Sequence, residues 1–441
     1  MTSLHSLLGL PGVVVFFAGM ISLVYYLLFR MLRRLNGYIL IAVAMTLLTI
    51  TSSMLHWLAR PHIFSLLFMV VWYDLLDSYQ YRGINRLCLF PFLMLLWVNL
   101  HGGFIIGFVL LGIYSVGNLW LSRFGAMEER ETARCRWRYL LMITLFCLAA
   151  SLVNPFGYNI LLFPFSLVSN RYMMDNVMEF LSPNFHEIAV TPFRLLLLLT
   201  LGLWAFSRRR PTIIEVSLLL LFLNLSLYSV RYIPLFTLIA APIVARVADR
   251  LLDENSCRFA AWLRRKDAGI AEIDGQARGF IWPIIITLII VPYFLQSGAS
   301  LGFDEKLKPV AAVEFMKREQ IPGNMFNNDE FGDYIIYAAW PQYHVFVDGR
   351  LDMYGSDLMK EYNKVVKFDA DWESVMKKYD MNWIIYDADS PLCRYLLIRN
   401  DWRLIYADKV ADIFVRNIPL YGPLIRKYPA VKPVSSVPTP L

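Results

Sequence analysis

Arginine occupies every second gap between about ten apolar segments, and the intervening gaps hold compact polar islands: Arg60-Pro61-His62, Asn99-Leu100-His101-Gly102-Gly103, Asn154-Pro155-Phe156-Gly157 and Ser229-Val230-Arg231. Such a chain is constrained to an α-helical polytopic bundle, because each apolar run must bury itself in lipid or in its neighbours. Composition agrees: 57% of 441 residues are hydrophobic, 17% are charged and the mean hydropathy is +0.49. The net charge of +7 does not point to nucleic acid, since the basic residues cluster in short gaps where they orient helices.

Ten spans are expected near 9–29, 38–58, 63–77, 87–99, 103–122, 138–154, 193–207, 212–228, 232–247 and 280–297, with the short ones tilted, re-entrant or buried in the bundle. No basic n-region or cleavage site precedes the first run, so it reads as a span and not as a signal peptide. One set of gaps carries Arg30, Arg33, Arg34, Arg82, Arg86, Arg123, Arg130, Arg134, Arg136, Arg138, Arg208, Arg209, Arg210 and the cluster from Arg246 to Arg278. The other set holds little beyond Arg60, Arg171 and Arg231. By the positive-inside rule the first set is cytoplasmic, which places the N-terminus and everything after residue 300 on the extracytoplasmic side. All six histidines, His5, His56, His62, His101, His186 and His344, then lie on or near the outer face. Four of the five cysteines lie inside or cytoplasmic to the apolar segments, leaving Cys393 alone in the soluble part, so no disulfide framework is expected.

The transmembrane domain is expected over 1–298 and an extracytoplasmic α/β domain over 305–418, followed by a disordered Pro-rich tail over 419–441. In the second domain the pattern predicts helices at Pro309 to Gln320, Phe331 to Trp340, 356–367 and 371–379. Strands are expected at Asn324 to Asn328, Tyr343 to Val347, 382–387, 402–407 and 411–416. Between 155 and 192 the apolar stretch Ile160 to Val168 is too short to span and is expected to lie along the interface. Asp175 and Glu179, four residues apart, would share one helix face, either as a solvated face or as the lining of a site.

The islands offer chemistry. Arg60 precedes a proline suited to a first helical turn, so its guanidinium, His62 and a helix N-terminus can all meet an anion such as phosphate. Arg231 would complete that ring of donors; the plain alternative for both arginines is an interfacial anchor among lipid headgroups. Asn99 and His101 sit beside glycines that permit close backbone approach, and either satisfy a broken helix or contact a ligand. In the soluble domain Asn328, Gly332 and Tyr334 precede a strand that leads to Asp348, Arg350 and Asp352, and polar groups at a strand exit are where α/β folds bind ligands. Asp348 and Asp352 are two carboxylates without further matched ligands, which makes a divalent cation weakly supported, and an Asp348 to Arg350 turn that merely locks the loop accounts for them equally well. No metal site and no cofactor are expected. The chain also lacks a P-loop, a dinucleotide fingerprint, CxxC, HExxH and GxSxG, which disfavours nucleotide-driven and zinc hydrolytic mechanisms.

The segments WLARPHIFSLLF, LLWVNLHGGFIIG, SLVNPFGYNIL, EFLSPNFHE and FNNDEFGDYIIYAAWPQYHVFVDGRLDMYG resemble a bacterial group of polytopic membrane proteins related to the GT-C glycosyltransferases. That superfamily includes protein mannosyltransferases, aminoarabinose transferases and oligosaccharyltransferases. The resemblance implies a multi-pass protein of the bacterial inner membrane. It would be a hexosyl or pentosyl transferase moving a sugar from a polyprenyl phosphate donor to a glycan, lipid or protein acceptor on the outer face. By the same resemblance Arg60, His62 and Arg231 would hold the lipid phosphate, and Asn99, His101, Glu179 and His186 would line the cavity. Members of the superfamily carry an essential carboxylate in a large outer loop after the first span, and this chain has no such loop. Three readings follow: a product lacking the N-terminal helix and first outer loop and inactive alone; a complete enzyme using Asp175, Glu179 or Asp348 as its base; or a non-catalytic scaffold or transporter of a glycan or lipid-linked substrate.

Overall fold

A computed structural model describes residues 2–434 apart from 36, 209, 255–257, 277–284, 286–287, 290–291 and 293–301. The chain divides into two compact units, Met1–Ala299 and Ser300–Leu441. The first unit contains α1 (Thr2–Leu35), α2 (Ile39–Ser53), α3 (His62–Arg82), α4 (Phe90–Leu100), α5 (Ile105–Phe124) and α6 (Met127–Ser151). It continues with α7 (Asn159–Ser169), α8 (Arg171–Asn176), α9 (Thr191–Phe206), α10 (Ile213–Tyr228), α11 (Ile233–Glu254) and α12 (Arg258–Gln276).

Helix ends follow local chemistry. Pro192 lies in the first turn of α9, where its missing N–H costs nothing. Thr212 and Glu215 close a reciprocal capping box at the start of α10. Gly83, at φ 69°, ends α3 in the left-handed conformation that a glycine adopts without strain. Among the described residues nine of the expected spans coincide with α1 to α6 and α9 to α11, while 280–297 lies largely outside them. Four helices, over Leu4–Leu35, Ile39–His56, Gly102–Phe124 and Ile188–Phe206, are long and apolar enough to cross a membrane by length and composition. The others are too short, as in α4 and α10, or carry charge, as in the first half of α6.

α11 sits at the centre. Its residues Ile233 through Ala245 are buried without a break, the signature of a helix with no solvent face, and it packs against α1, α2, α3, α9 and α10. Aromatic rings fill the space between α3 and α4, with Trp72 stacked on Phe90 at 3.8 Å and Phe68 on Trp97 at 5.4 Å. At the arginine-rich end, three aspartates hold the turn between α1 and α2. Gly37 N–H donates to Asp249 at 3.1 Å, Tyr38 OH to Asp253 at 2.6 Å and Leu40 N–H to Asp267 at 2.8 Å.

The second unit is a four-stranded sheet in the order β1-β2-β4-β3, formed by β1 (Asn324–Asn327), β2 (Met381–Asp387), β3 (Trp402–Ala407) and β4 (Ala411–Arg416). β1 runs parallel to β2 and the remaining pairs are antiparallel. One face buries Trp383, Ile385, Ile413 and Val415 beneath α13 (Val310–Glu319) and α14 (Asp329–Ala339). On the other face Phe326 stacks on Tyr362 of α15 (Leu351–Lys367), and Tyr386 stacks on Phe326. Both faces are covered, so β2 reads as an unbroken apolar run. α16 (Trp372–Lys378), α17 (Pro391–Leu397) and α18 (Gly422–Lys427) complete the unit.

Two expectations are corrected here. Tyr343 to Val347 is not a strand of the sheet. Instead the Asn327 side chain takes the place of a ladder, accepting from Phe346 N–H at 2.7 Å and donating to the Val347 carbonyl at 2.8 Å. The region after 418 is not uniformly a disordered tail either: Tyr421 is fully buried and donates to the Pro322 carbonyl at 2.7 Å, and Lys427 and Tyr428 both bond to Glu319. Those two donors, with Arg318, hold the Glu319 carboxyl down at about 2 despite the opposing effect of desolvation. Residues 435–441 lie outside the described set.

Candidate functional site

The polar islands meet at the end of the first unit opposite the arginine-rich turns. α2 closes in a 3-10 turn over Met54–His56, and the chain then loops through Arg60 into α3. The His56 ring Nε2 lies 2.9 Å from the Val230 carbonyl, and the His62 Nε2 lies 2.8 Å from the His56 carbonyl. A carbonyl can only accept, so Nε2 carries the hydrogen in both rings.

His101 is oriented by a relay. Trp97 Nε1 donates to Ser65 Oγ at 2.8 Å, which leaves the Ser65 hydroxyl to donate to His101 Nδ1 at 2.7 Å; Gly103 N–H donates to the same nitrogen at 3.0 Å. With Nδ1 accepting twice, the neutral ring keeps its hydrogen on Nε2, which has no protein partner among the described residues. Gly103 is required at this point, because a Cβ there would lie 2.4 Å from Ser65 Oγ.

Arg60 donates to Glu179 at 2.7 Å, and both side chains are partly exposed. The segment carrying Glu179 is strapped to the α10–α11 junction: Ser229 Oγ donates to the Glu179 carbonyl at 2.9 Å and Val230 N–H to the Leu181 carbonyl at 2.9 Å. That strap carries Arg231, whose guanidinium lies 5.3 Å from the centre of the Phe180 ring. Among the described residues Arg231 has no carboxylate partner. It and His62 are close enough to His101 to act on that ring electrostatically. Arg60, His62, His101, Glu179 and Arg231 are therefore brought together.

The remaining candidates are placed elsewhere. Asn99 is exposed and its amide bridges the Leu95 and Val153 carbonyls, each at 2.9 Å, tying α4 to the end of α6. His186 is exposed in the 184–187 turn, where its backbone N–H meets Asn184 Oδ1 at 3.1 Å, and its ring makes no hydrogen bond or ion pair among the described residues. Asp175 and Glu179 do not share a helix face. α8 ends at Asn176, Val177 is extended, and Glu179 belongs to a separate 3-10 turn. Asp175 instead faces Arg171 at 3.7 Å.

In the second unit the motif residues serve the fold. The Asn328 side chain caps α14 by accepting from Glu330 N–H at 2.8 Å. Gly332 lets α14 touch the 347–348 backbone: a Cβ would lie 2.3 Å from the Val347 carbonyl oxygen. Tyr334 packs on Phe303. Asp348 is buried; desolvation would raise its pKa, but the Arg350 guanidinium and backbone N–H hold the carboxyl below the usual carboxylate range. Asp352 lies in the first turn of α15. Among the described residues no group of three or more His, Cys, Asp or Glu is arranged to hold a metal. Asn328 also lines a recess of about 290 Å³ with Tyr386, Asp387, Asp389, Ser390 and Leu392.

A second polar constellation was not singled out from the sequence. Asp77 on α3 and Glu215 on α10 both pair with Arg246 on α11, at 2.7 and 3.3 Å. The available signal was an acidic residue placed within an apolar span.

On the first unit, an apolar groove of about 630 Å³ runs between α1 and α2, lined by Phe17, Tyr25, Tyr26, Phe29 and Trp57 and reaching Ala59, next to Arg60.

Neither protein-family models nor curated proteins gave a match to the chain. Among solved structures it is similar to the archaeal oligosaccharyltransferase AglB from Archaeoglobus fulgidus in complex with an inhibitory peptide and a dolichol-phosphate, at a TM-score of 0.46 and 10% identity. The match covers 88% of this chain and 60% of that one, so the chain spans less than two thirds of that relative's length. A likeness this loose carries no inference about activity.

Proposed function

We propose that the protein is a glycosyltransferase-like membrane protein that binds a polyprenyl phosphate-linked sugar at the Arg60–Arg231 end of its first unit and transfers the sugar to an acceptor there. The observation that carries this reading is the adjacency of the aromatic-lined groove to Arg60, with Arg231 across the Glu179 strap. An amphiphile with an anionic head and a long hydrocarbon tail matches that pairing: guanidinium forks suit phosphate, and the groove suits the chain. In transfer an acceptor nucleophile bonds to the sugar's anomeric carbon and gives up its proton to solvent or to the departing phosphate as the sugar–phosphate bond breaks; the phosphate leaves with negative charge, which Arg231, Arg60 and the His101 Nε2–H would stabilise. The motif resemblance of these segments to GT-C relatives supports the same class.

A second reading, a non-catalytic protein that holds or passes on a lipid-linked glycan, is favoured by a separate observation. Each carboxylate considered as a base is already ion-paired: Asp175 with Arg171, Glu179 with Arg60 and Asp348 with Arg350.

Proteoliposomes given radiolabelled polyprenyl phosphate sugar and an acceptor test both. Transfer by the parent and loss in Arg231→Ala support the enzyme; binding without transfer supports the second reading. Equal lipid binding by parent, Arg60→Ala and Arg231→Ala would remove both.

A further inference from the structure

Several buried polar groups in the first unit have no protein partner among the described residues: Trp72 Nε1 and Tyr73 OH on α3, Tyr114 OH, Ser115 Oγ and Asn118 Oδ1 on α5, and Arg246 Nε on α11. Trp72, Tyr114 and Asn118 are fully buried. Tyr73, Tyr114, Asn118 and Arg246 among them form one cluster. Asn118 Nδ2 donates to Gln80 at 2.8 Å, Arg246 pairs with Asp77 at 2.7 Å, and both Tyr73 and Tyr114 lie within electrostatic reach of Arg246 and Asp77.

Polar groups removed from water and left unpaired are costly, and proteins satisfy such clusters with internal water. The chemistry of the lining selects the occupant. Phenol and guanidinium donors outnumber the free acceptor, which disfavours a cation already repelled by Arg246. The Asp77 and Glu215 carboxylates repel an anion. Water accepts from every donor and still donates to Asn118 Oδ1.

Exposure grows toward the arginine-rich end along one face of α3: Tyr73 and Asp77 are buried, whereas Tyr81, just over two turns beyond Tyr73, is 41% exposed and lies 5.1 Å from the Arg246 guanidinium. Eight residues of helix cover about 12 Å, roughly two fifths of a hydrocarbon core of about 30 Å. We propose that α3, α5, α10 and α11 enclose a hydrated compartment, entered from the arginine-rich end between Tyr81, Glu215 and Arg246, in which a water cluster bridges the unpaired groups.

Cysteine accessibility tests this in full-length protein with the native cysteines replaced. Asn118→Cys is treated with a small, charged, membrane-impermeant thiosulfonate from each side of oriented vesicles, with lipid-facing Val116→Cys as the reference. The compartment predicts labelling of Asn118→Cys at least tenfold faster than Val116→Cys, from the arginine-rich side only; equal rates, or access from the other side, would overturn it. Tyr114→Phe gives an independent readout that does not depend on labelling. Loss of a hydrated hydroxyl lowers Tm in detergent, whereas an unchanged or raised Tm means a dry, unpaired hydroxyl and refutes the proposal.

Discussion

Arg60 and Glu179, separated by 119 residues, form an ion pair at 2.7 Å that joins the loop before α3 to the strap below Arg231. With the arginine half exposed, the pair contributes at most about 1 kcal/mol to folding. On the function proposed above its larger effect is on ligand binding, because Glu179 occupies Arg60 donors that an anion would use. Glu179→Gln should therefore strengthen binding of a lipid phosphate about three- to tenfold while lowering Tm by no more than about 4 °C, as read by lipid titration and thermal unfolding of the purified protein. A weakened affinity would mean that Glu179 contacts the ligand itself.

Removing one partner of the buried pair between α3 and α11 should be far more severe. Arg246→Met leaves the Asp77 carboxylate buried without its countercharge, a loss of about 3–5 kcal/mol. Asp77→Asn in the same chain should recover much of it. Unfolding in detergent, followed by tryptophan fluorescence, provides the comparison.

Gly332→Ala should destabilise the second unit by about 1–3 kcal/mol, since overpacking against a backbone cannot be relieved by a rotamer change. The added carbon would lie 2.3 Å from one backbone atom and 2.7 Å from another. Hydrogen exchange across residues 324–348 should rise, with the first unit unaffected.

Asp412 gives the second unit a pH dependence. The side chain is almost fully buried and both carboxylate oxygens lack a protein partner among the described residues. Burial, with Asp408, Asp389 and Asp387 nearby, pushes its pKa up to about 7. A raised folded-state value means that the folded form keeps its proton where the unfolded form loses it. Stability is then full below the unfolded value of 3.8 and falls as pH rises toward 7. The loss is a few kcal/mol, about 2–4, from the energy of a unit shift. Asp412→Asn should flatten the slope and raise stability at pH 8, measured by urea unfolding across pH 4 to 8.

Much of the architecture was legible because apolar periodicity is local: nine helices of the first unit and all four strands of the sheet lie where runs and alternation place them. The failures are non-local. Tyr343 to Val347 has strand composition, but the backbone partner it needs is supplied by the side chain of Asn327, which no period reveals. Pro419 to Tyr428 has the composition of a tail, yet one ring finds a carbonyl 99 residues away. At the site, the grouping of Arg60, His62 and Arg231 was legible from their shared end of the bundle. Ser65 was not, because a serine inside an apolar run signals nothing until Trp97 and His101 arrive on either side of it. The spacing of Asp175 and Glu179 misled, since a helix face requires an unbroken helix between them.

The aspartates that grip the first turn also set an order of manufacture. Leu40 waits for Asp267, made 227 residues later, and Gly37 for Asp249, made 212 residues later. The ribosome must therefore deliver nearly the whole first unit before these bonds at its opening turn can form, and until then α1 and α2 are held by the packing of α1 on α2 and on α3. Any truncation upstream of residue 267 leaves the Leu40 N–H at the beginning of the chain without its partner, however intact the first two helices are.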